Sequence, residues 1–350
     1  MIITFIALSC LAVLVTWLPM LRVPHRLVRF FDFPRVQLFV LLTALLVGSF
    51  FIFEGFSWPS FALQAGLLVS ASYQASWILA FTTMFRKEVK VSKTPDAAHV
   101  FTLFVYNVRM ENKRKADMIS AVLRADPDMV LANEIDQGWA DALTEIHAQY
   151  PHRVLMPLAN TYGMGLYSRL PLKDAKVEFK VENDIPSIHT RVQLPGGPWF
   201  DFYGMHPKPP DLHNNTEARD AELVMTGLEI KRRNQPAIIA GDLNDVAWSN
   251  TTRLFKKLSG MLDPRVGRGF YNTYSVFVPF FRYPLDHLFI TPQWQLVKLK
   301  RLPACGSDHF PVMVRLEYKP DKAYKQPVEA PEKEDLEYAH EILQVAEERG

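Results

Sequence analysis

Several short stretches of the chain carry polar side chains that could do chemistry. Asn107 lies in Val105-Tyr106-Asn107-Val108, Glu134 in Leu131-Ala132-Asn133-Glu134, and His206 in Tyr203-Gly204-Met205-His206-Pro207. Asp242 and Asn244 lie in Gly241-Asp242-Leu243-Asn244-Asp245, Asp286 in Pro284-Leu285-Asp286-His287, and Asp308 with His309 in Gly306-Ser307-Asp308-His309-Phe310. Each has an ordinary structural use, since Asn and Asp form turns and caps and a lone histidine commonly packs. Their shared feature is position at, or next to, the ends of apolar runs that read as buried strands, such as Ala237-Ile238-Ile239-Ala240. In an α/β sandwich those ends converge on one rim. Carboxylates, amides and two imidazoles with no thiolate suit a hard divalent cation and a phosphate ester. Asp245 adds nothing to that pattern and is expected to be a turn residue.

The elements that must position these groups follow from periodicity. Strands are expected at 100–108, 128–132, 163–168, 175–181, 188–194, 199–205, 237–240, 285–290 and 310–317, where β-branched and aromatic residues concentrate. Helices are expected at 111–124, 137–150 and 248–259, and another running to about Arg233, started by Asn214 with Glu217 three residues on. The result is a water-soluble α/β domain over 99–318. Residues 319–350 are rich in proline and charge and are expected to be a solvated tail, partly helical.

Before this domain the composition is different. Ile2 to Leu21, Val36 to Phe53 and Phe61 to Phe85 lack charged residues, and a membrane span needs roughly 20 apolar residues to cross about 30 Å of hydrocarbon. Three transmembrane helices within 1–85 are therefore expected, followed by a polar linker at 86–98. No Lys or Arg precedes the first run, which argues for a span over a cleaved signal. Arg22, Arg26, Arg29 and Arg35 precede the second run, and Arg86, Lys87, Lys90 and Lys93 follow the third. The positive-inside rule puts both flanks, and the domain after them, on the cytoplasmic side of the cell inner membrane.

Bulk composition excludes other classes. A formal net charge of +2 over 350 residues is neither strongly basic nor acidic. Two distant cysteines, Cys10 and Cys305, make no disulfide framework and no zinc cluster.

The order of the polar stretches resembles the endonuclease/exonuclease/phosphatase superfamily: an Asn on the first strand, a Glu after the second, a His ending a middle strand, Gly-Asp-Leu-Asn, an Asp before a hydrophobic strand, and Ser-Asp-His-Phe-Pro-Val. The resemblance covers about residues 100 to 317 and implies a four-layer αββα sandwich of the DNase I-like kind. The stretch from Val278 to His287 resembles membrane-anchored bacterial members. Glu134 follows Ala-Asn where Leu-Gln is more usual. By this resemblance Glu134, Asn107 and Asp308 would hold Mg²⁺ (or Mn²⁺). Asp242 and Asn244 would position the attacking water, His309 would meet the scissile phosphate with Asp286 behind it, and His206 would reach a nonbridging oxygen.

A nuclease-type phosphodiesterase is the leading expectation, with Lys208, Arg219, Arg232 and Arg233 as candidate phosphate contacts. The alternative is a phospholipid or sphingomyelin phosphodiesterase or an inositol-phosphate phosphatase, for which the aromatic stretch Phe277 to Phe281 could meet a bilayer. A non-catalytic membrane scaffold is the remote alternative. No protein partner is readable.

Overall fold

In a computed structural model of the chain, the structure describes residues 2–55, 57–210 and 216–348. The N-terminal part is helical: α1 (Ile2–Trp17), a short α2 (Arg26–Phe30), α3 (Arg35–Ile52) and α4 (Trp58–Ile78). Helices α1, α3 and α4 pack on one another around Ala12, Leu42, Leu45, Leu67 and Ala71. Two segments, Ile2–Leu21 and Arg35–Ile52, are long and apolar enough to cross a membrane, and α4 is not. Of the three expected spans, two are therefore apolar and long enough by this measure. Gln64, Ser70, Ser72, Gln74 and Ser76 dilute the apolar character of α4. Ser70 and Gln74 turn inward, where Ser70 accepts a hydrogen bond from Trp17 Nε1 at 3.2 Å and Gln74 accepts one from Arg35 at 3.2 Å.

The remainder is an αββα sandwich. Its strands are β1 (Val100–Asn107), β2 (Met129–Asn133), β3 (His152–Met156), β4 (Met164–Ser168), β5 (Leu172–Glu178), β6 (Ser187–Gln193), β7 (Trp199–Gly204), β8 (Ala237–Asp242), β9 (Asp286–Ile290), β10 (Trp294–Arg301) and β11 (Val312–Tyr318). One sheet has the order β10-β11-β1-β2-β4-β3 and the other β5-β6-β7-β8-β9. Phe101, Leu103, Leu131, Phe202, Ile238 and their neighbours fill the space between the sheets. Helices α5 (Lys115–Ala125) and α6 (Gln137–Ala142) cover the first sheet through Met118, Val122 and Trp139. Helices α7 (Glu217–Arg233) and α8 (Asn250–Ser259) cover the second, where Leu223, Ile230 and Phe255 meet Ile239 and Phe289.

Several expectations shift. Strands β3 and β10 were not anticipated. The helix expected over 137–150 is one short α-turn segment that tightens to a 3-10 turn at Leu143–Ile146. Asn214, expected to start α7, lies outside the described residues. The tail is not free, because α9 (Lys333–Glu347) lays Ala339 and Ile342 against Val224, Leu254 and Leu258.

The largest departure concerns Asp245. It is buried, and its carboxylate accepts a hydrogen bond from Ser249 at 2.6 Å. Arg219 lies 3.4 Å away and Arg29, from α2, 3.8 Å away. The Arg29 guanidinium also stands 3.9 Å from Asp220 and 3.4 Å from Asp32, and it donates to Thr251. Trp248 donates to the Asp32 carbonyl at 2.7 Å, and Asn250 to the Pro19 carbonyl at 3.1 Å. The N-terminal helices are thereby locked to the segment that follows Gly241-Asp242. Arg29→Ala leaves buried carboxylates without their shared cation, a loss on the order of 3–5 kcal/mol. Thermal unfolding of the full chain in detergent should show a large drop in midpoint; a wild-type midpoint would refute this role for Arg29.

Candidate active site

Strand ends from both sheets meet at one rim. Parallel pairing of β1 with β2 places Asn107 level with Asn133, one residue before Glu134. Parallel β7 and β8 bring His206 and Asp242 to the same edge. Gly241 permits this approach: its φ is 142°, and a Cβ there would lie 1.9 Å from the Met205 carbonyl oxygen. Only glycine fits such a position without a backbone shift. Arg109, Glu134 and Asn244 also have positive φ, at 57°, 63° and 51°. Left-handed backbone at non-glycine residues clusters where the surrounding structure fixes a functional side chain.

Antiparallel pairing of β8 with β9 sets Asp242 directly opposite Asp286. Two carboxylates in that relation repel each other. His309 resolves the conflict by lying between them. Its Nδ1 is 2.8 Å from Asp286 Oδ2 and its Nε2 is 3.4 Å from Asp242 Oδ2. Burial works against the imidazolium, but the charges of Asp286 and Asp242 outweigh it, and the His309 pKa is pushed up to about 10. Burial also opposes ionisation of Asp286, yet His309 holds its pKa below the usual carboxylate value. Asp242 goes the other way: burial and the Asp286 charge raise it against the pull of His309. Its Oδ1 accepts the Asn244 amide N–H at 2.9 Å.

On the other side of Asp242, Asn107 links the two sheets. Its Nδ2 donates to Asp242 at 3.0 Å and to Glu134 at 2.7 Å, and its Oδ1 accepts from the Arg109 amide at 3.0 Å. Burial raises the Glu134 pKa, and the Asn107 hydrogen bond opposes the rise. His206 Nε2 is 3.9 Å from both Glu134 and Asp242. Its imidazole is buried and its pKa is depressed by desolvation, so it is neutral at pH 7. Asp308 sits at the mouth with its carboxylate 4.0 Å from Arg109. The Asn244 side chain is turned away, donating to the Pro207 carbonyl at 2.9 Å.

Other residues hold this frame. His287, the neighbour of Asp286, is 2.8 Å from the Asp245 carbonyl through Nε2 and 2.9 Å from Arg265 through Nδ1. Burial, with Arg265 beside it, lowers its pKa to about 3, so it is a neutral ring that donates to the turn. Arg219 donates to the Asn244 carbonyl at 2.8 Å. Thr273 accepts the Asp286 amide at 3.1 Å, and Tyr274 packs on His309 at 5.1 Å between ring centres. Sequence reasoning left these residues aside or cast Arg219 as a phosphate contact. The nearest signal was His287, directly after Asp286. Arg219, Arg233 and Lys208 are engaged within the protein: Arg233 with Asp201 at 2.7 Å and Lys208 with Glu182 at 3.3 Å.

The donor set fits a divalent cation. Asp242, Asp286 and His309 bring potential ligand atoms within 4.8 Å of one another. Asp286 and His309 are, however, hydrogen-bonded to each other, an arrangement suited to holding a proton. Glu134 offers a carboxylate outside that pair, partly exposed at the rim. If Asn107 keeps Glu134 ionised, Asn107→Ala raises the Glu134 pKa further. Protons then compete with the cation at higher pH. Titration calorimetry with Mn²⁺ should show affinity falling on acidification from a higher pH in Asn107→Ala than in wild type; coincident pH curves would contradict this.

The model of the Endonuclease/Exonuclease/phosphatase family matches residues 104–309. Among solved structures, the human nocturnin catalytic domain with bound sulfate superposes with a TM-score of 0.52 at 15% identity, covering 65% of this chain and 97% of that one. TDP2 from D. rerio, complexed with a single-strand DNA product, superposes at 0.52 and 16% identity, covering 62% and 99%. An endonuclease/exonuclease/phosphatase family protein from Bacteroides thetaiotaomicron superposes at 0.51 and 18% identity, covering 65% and 99%. The search of curated proteins returns no match.

Proposed function

The chain belongs to the endonuclease/exonuclease/phosphatase family, hydrolases of phosphate ester bonds, and on that premise we propose a divalent-metal-dependent phosphodiesterase attached to a membrane. The observation that carries the chemistry is His309 held between the cross-strand aspartates Asp242 and Asp286, facing Glu134 across Asn107. Glu134, with Asn107 and Asp308 beside it, would hold Mg²⁺ or Mn²⁺. The cation would offset negative charge developing on the phosphoryl oxygens.

Asp242, whose pKa is raised by burial, takes a proton from the attacking water. The Asn244 turn fixes the direction of that carboxylate. His309, protonated at neutral pH, donates from Nε2 to a phosphoryl oxygen, with Asp286 holding Nδ1. His206, neutral, donates to a second nonbridging oxygen. Water attacks phosphorus in line, so no covalent enzyme intermediate is required.

Membrane attachment rests on the two apolar segments, Ile2–Leu21 and Arg35–Ile52. The end of the first and the start of the second both meet the sandwich, at Asn250 and Phe280. The arginines between them share that side, which by the positive-inside rule is cytoplasmic.

The test uses the full chain in detergent and a soluble diester, bis(p-nitrophenyl) phosphate. Hydrolysis should require Mg²⁺ or Mn²⁺ and cease with EDTA. Asp242→Ala and His309→Ala should each lower kcat by roughly 10²–10⁴-fold. Undiminished turnover in both variants would overturn the assignment.

A further inference from the structure

One feature of the rim has no role in the chemistry above. Between Tyr274 and Tyr283 the chain leaves the site, makes a short 3-10 turn at Pro279–Phe281, and returns. The first leg is tied to residues of the site, and the return leg is paired with it through the Tyr283 carbonyl, which accepts from the Thr273 amide at 3.0 Å. Val276 N–H donates to the Asp308 carbonyl at 2.8 Å, Phe310 N–H to the Thr273 carbonyl at 2.8 Å, and Thr273 Oγ1 accepts from the Asp286 amide at 3.1 Å. The tip is apolar and uncovered: Phe277, Phe280 and Phe281 are 60%, 68% and 50% exposed. Contiguous exposed aromatic surface of this kind marks an interaction site.

The location of the tip identifies the occupant. Gln37, in the first turn of α3, donates to the Phe280 carbonyl at 2.7 Å, and Phe33 packs edge-on against Tyr283 at 5.5 Å. The tip is therefore pinned to the end of an apolar helix long enough to cross a membrane, where that helix leaves the sandwich. Farther along α3, Val40, Val47, Phe50 and Phe51 are exposed. The loop continues this apolar surface at its catalytic end. Arg282 and Arg301 both lie over the Phe310 ring, at 5.1 and 4.3 Å, next to His309. An apolar tip with cations behind it matches the order of a bilayer surface, acyl chains below and phosphates above.

We propose that the Phe277–Phe281 loop inserts into the bilayer surface beside α3, and that the phosphodiester hydrolysed by this site belongs to a phospholipid headgroup. The inference rests on the phosphodiesterase reading above and adds its substrate. Water oxygen forms a new bond to phosphorus, one phosphorus–oxygen ester bond breaks, and the departing alcohol oxygen gains the proton that water gives up. The product is a phosphomonoester. Aromatic side chains also stack on unpaired bases, but a loop pinned to the end of a membrane helix faces lipid before it faces a polynucleotide.

The full chain is reconstituted in vesicles of phosphatidylcholine and phosphatidylglycerol with Mg²⁺, and phosphomonoester is followed by phosphorus NMR. Parallel assays use bis(p-nitrophenyl) phosphate and single-stranded DNA. Wild type should release phosphomonoester from lipid. The triple variant Phe277→Ser, Phe280→Ser, Phe281→Ser should lose about tenfold or more of that activity, the scale of one aromatic side chain's burial. It should hydrolyse the soluble diester at the wild-type rate. If the triple variant loses both activities, Phe280→Ser alone decides: retained soluble-diester hydrolysis with reduced lipid hydrolysis supports the proposal, and any other pattern overturns it. Wild type that cleaves the soluble diester and DNA but not lipid overturns the proposal and leaves the phosphodiesterase reading standing. Wild type inert on all three substrates overturns both.

Discussion

Everything at the rim depends on one turn with two buried carboxylates three residues apart. Asp242 points into the candidate catalytic cluster and Asp245 into the arginine cluster beneath the N-terminal helices. Burying a carboxylate is unfavourable unless charges and hydrogen bonds replace water. On one side the replacements are Asn107, His309 and the Asn244 amide; on the other they are Arg219, Arg29 and Ser249. Gly241 makes the turn possible by letting β8 close on Met205. His287 secures it by binding the Asp245 carbonyl. Asp242 is thus held by both sheets and, through Asp245, by the helical segment that precedes the sandwich.

This coupling gives the N-terminal helices a second task. Helix α2 supplies Arg29, the end of α4 leads to Phe81 against Trp248, and Gln37 of α3 ties the aromatic rim loop. A chain lacking these helices would expose Trp248 and leave Asp245 and Asp220 with one arginine in place of two. The same contacts fix the direction in which the site opens relative to the apolar helices. The apolar helices and the rim are joined by specific contacts and not only by a linking segment.

Much of the fold was legible because buried strands leave continuous apolar runs and because the polar residues at their ends stand out against those runs. Asn107, Glu134, His206, Asp242, Asp286 and His309 could be picked out that way, and the structure brings them to one edge. Other features depend on partners far away in the chain. Asp245 looks like any turn residue, since its burial is decided by Arg29, more than two hundred positions earlier. Arg219 looks like a surface cation for the same reason. Strand β10 carries Trp294, Leu296 and Leu299 but ends in Lys298, Lys300 and Arg301, and was hidden by that charge. Strand β3 is a half-buried edge whose apolar run is only three residues long, Val154 to Met156. The charged surface of α9 concealed the Ala339–Ile342 stripe that packs on α7 and α8. Helix α4 is the reverse case, since the absence of charge concealed an inward polar face at Ser70 and Gln74.

The proposed chemistry divides the rim into a cation side, at Glu134, and a proton-holding side, at Asp286 and His309. Anomalous scattering from Mn²⁺ soaked into crystals of the full chain distinguishes the two sides. That division predicts one principal peak within bonding distance of the Glu134 carboxylate, with the Asp286–His309 hydrogen bond intact. A peak enclosed by Asp242, Asp286 and His309, with that hydrogen bond broken and Glu134 remote, would contradict it.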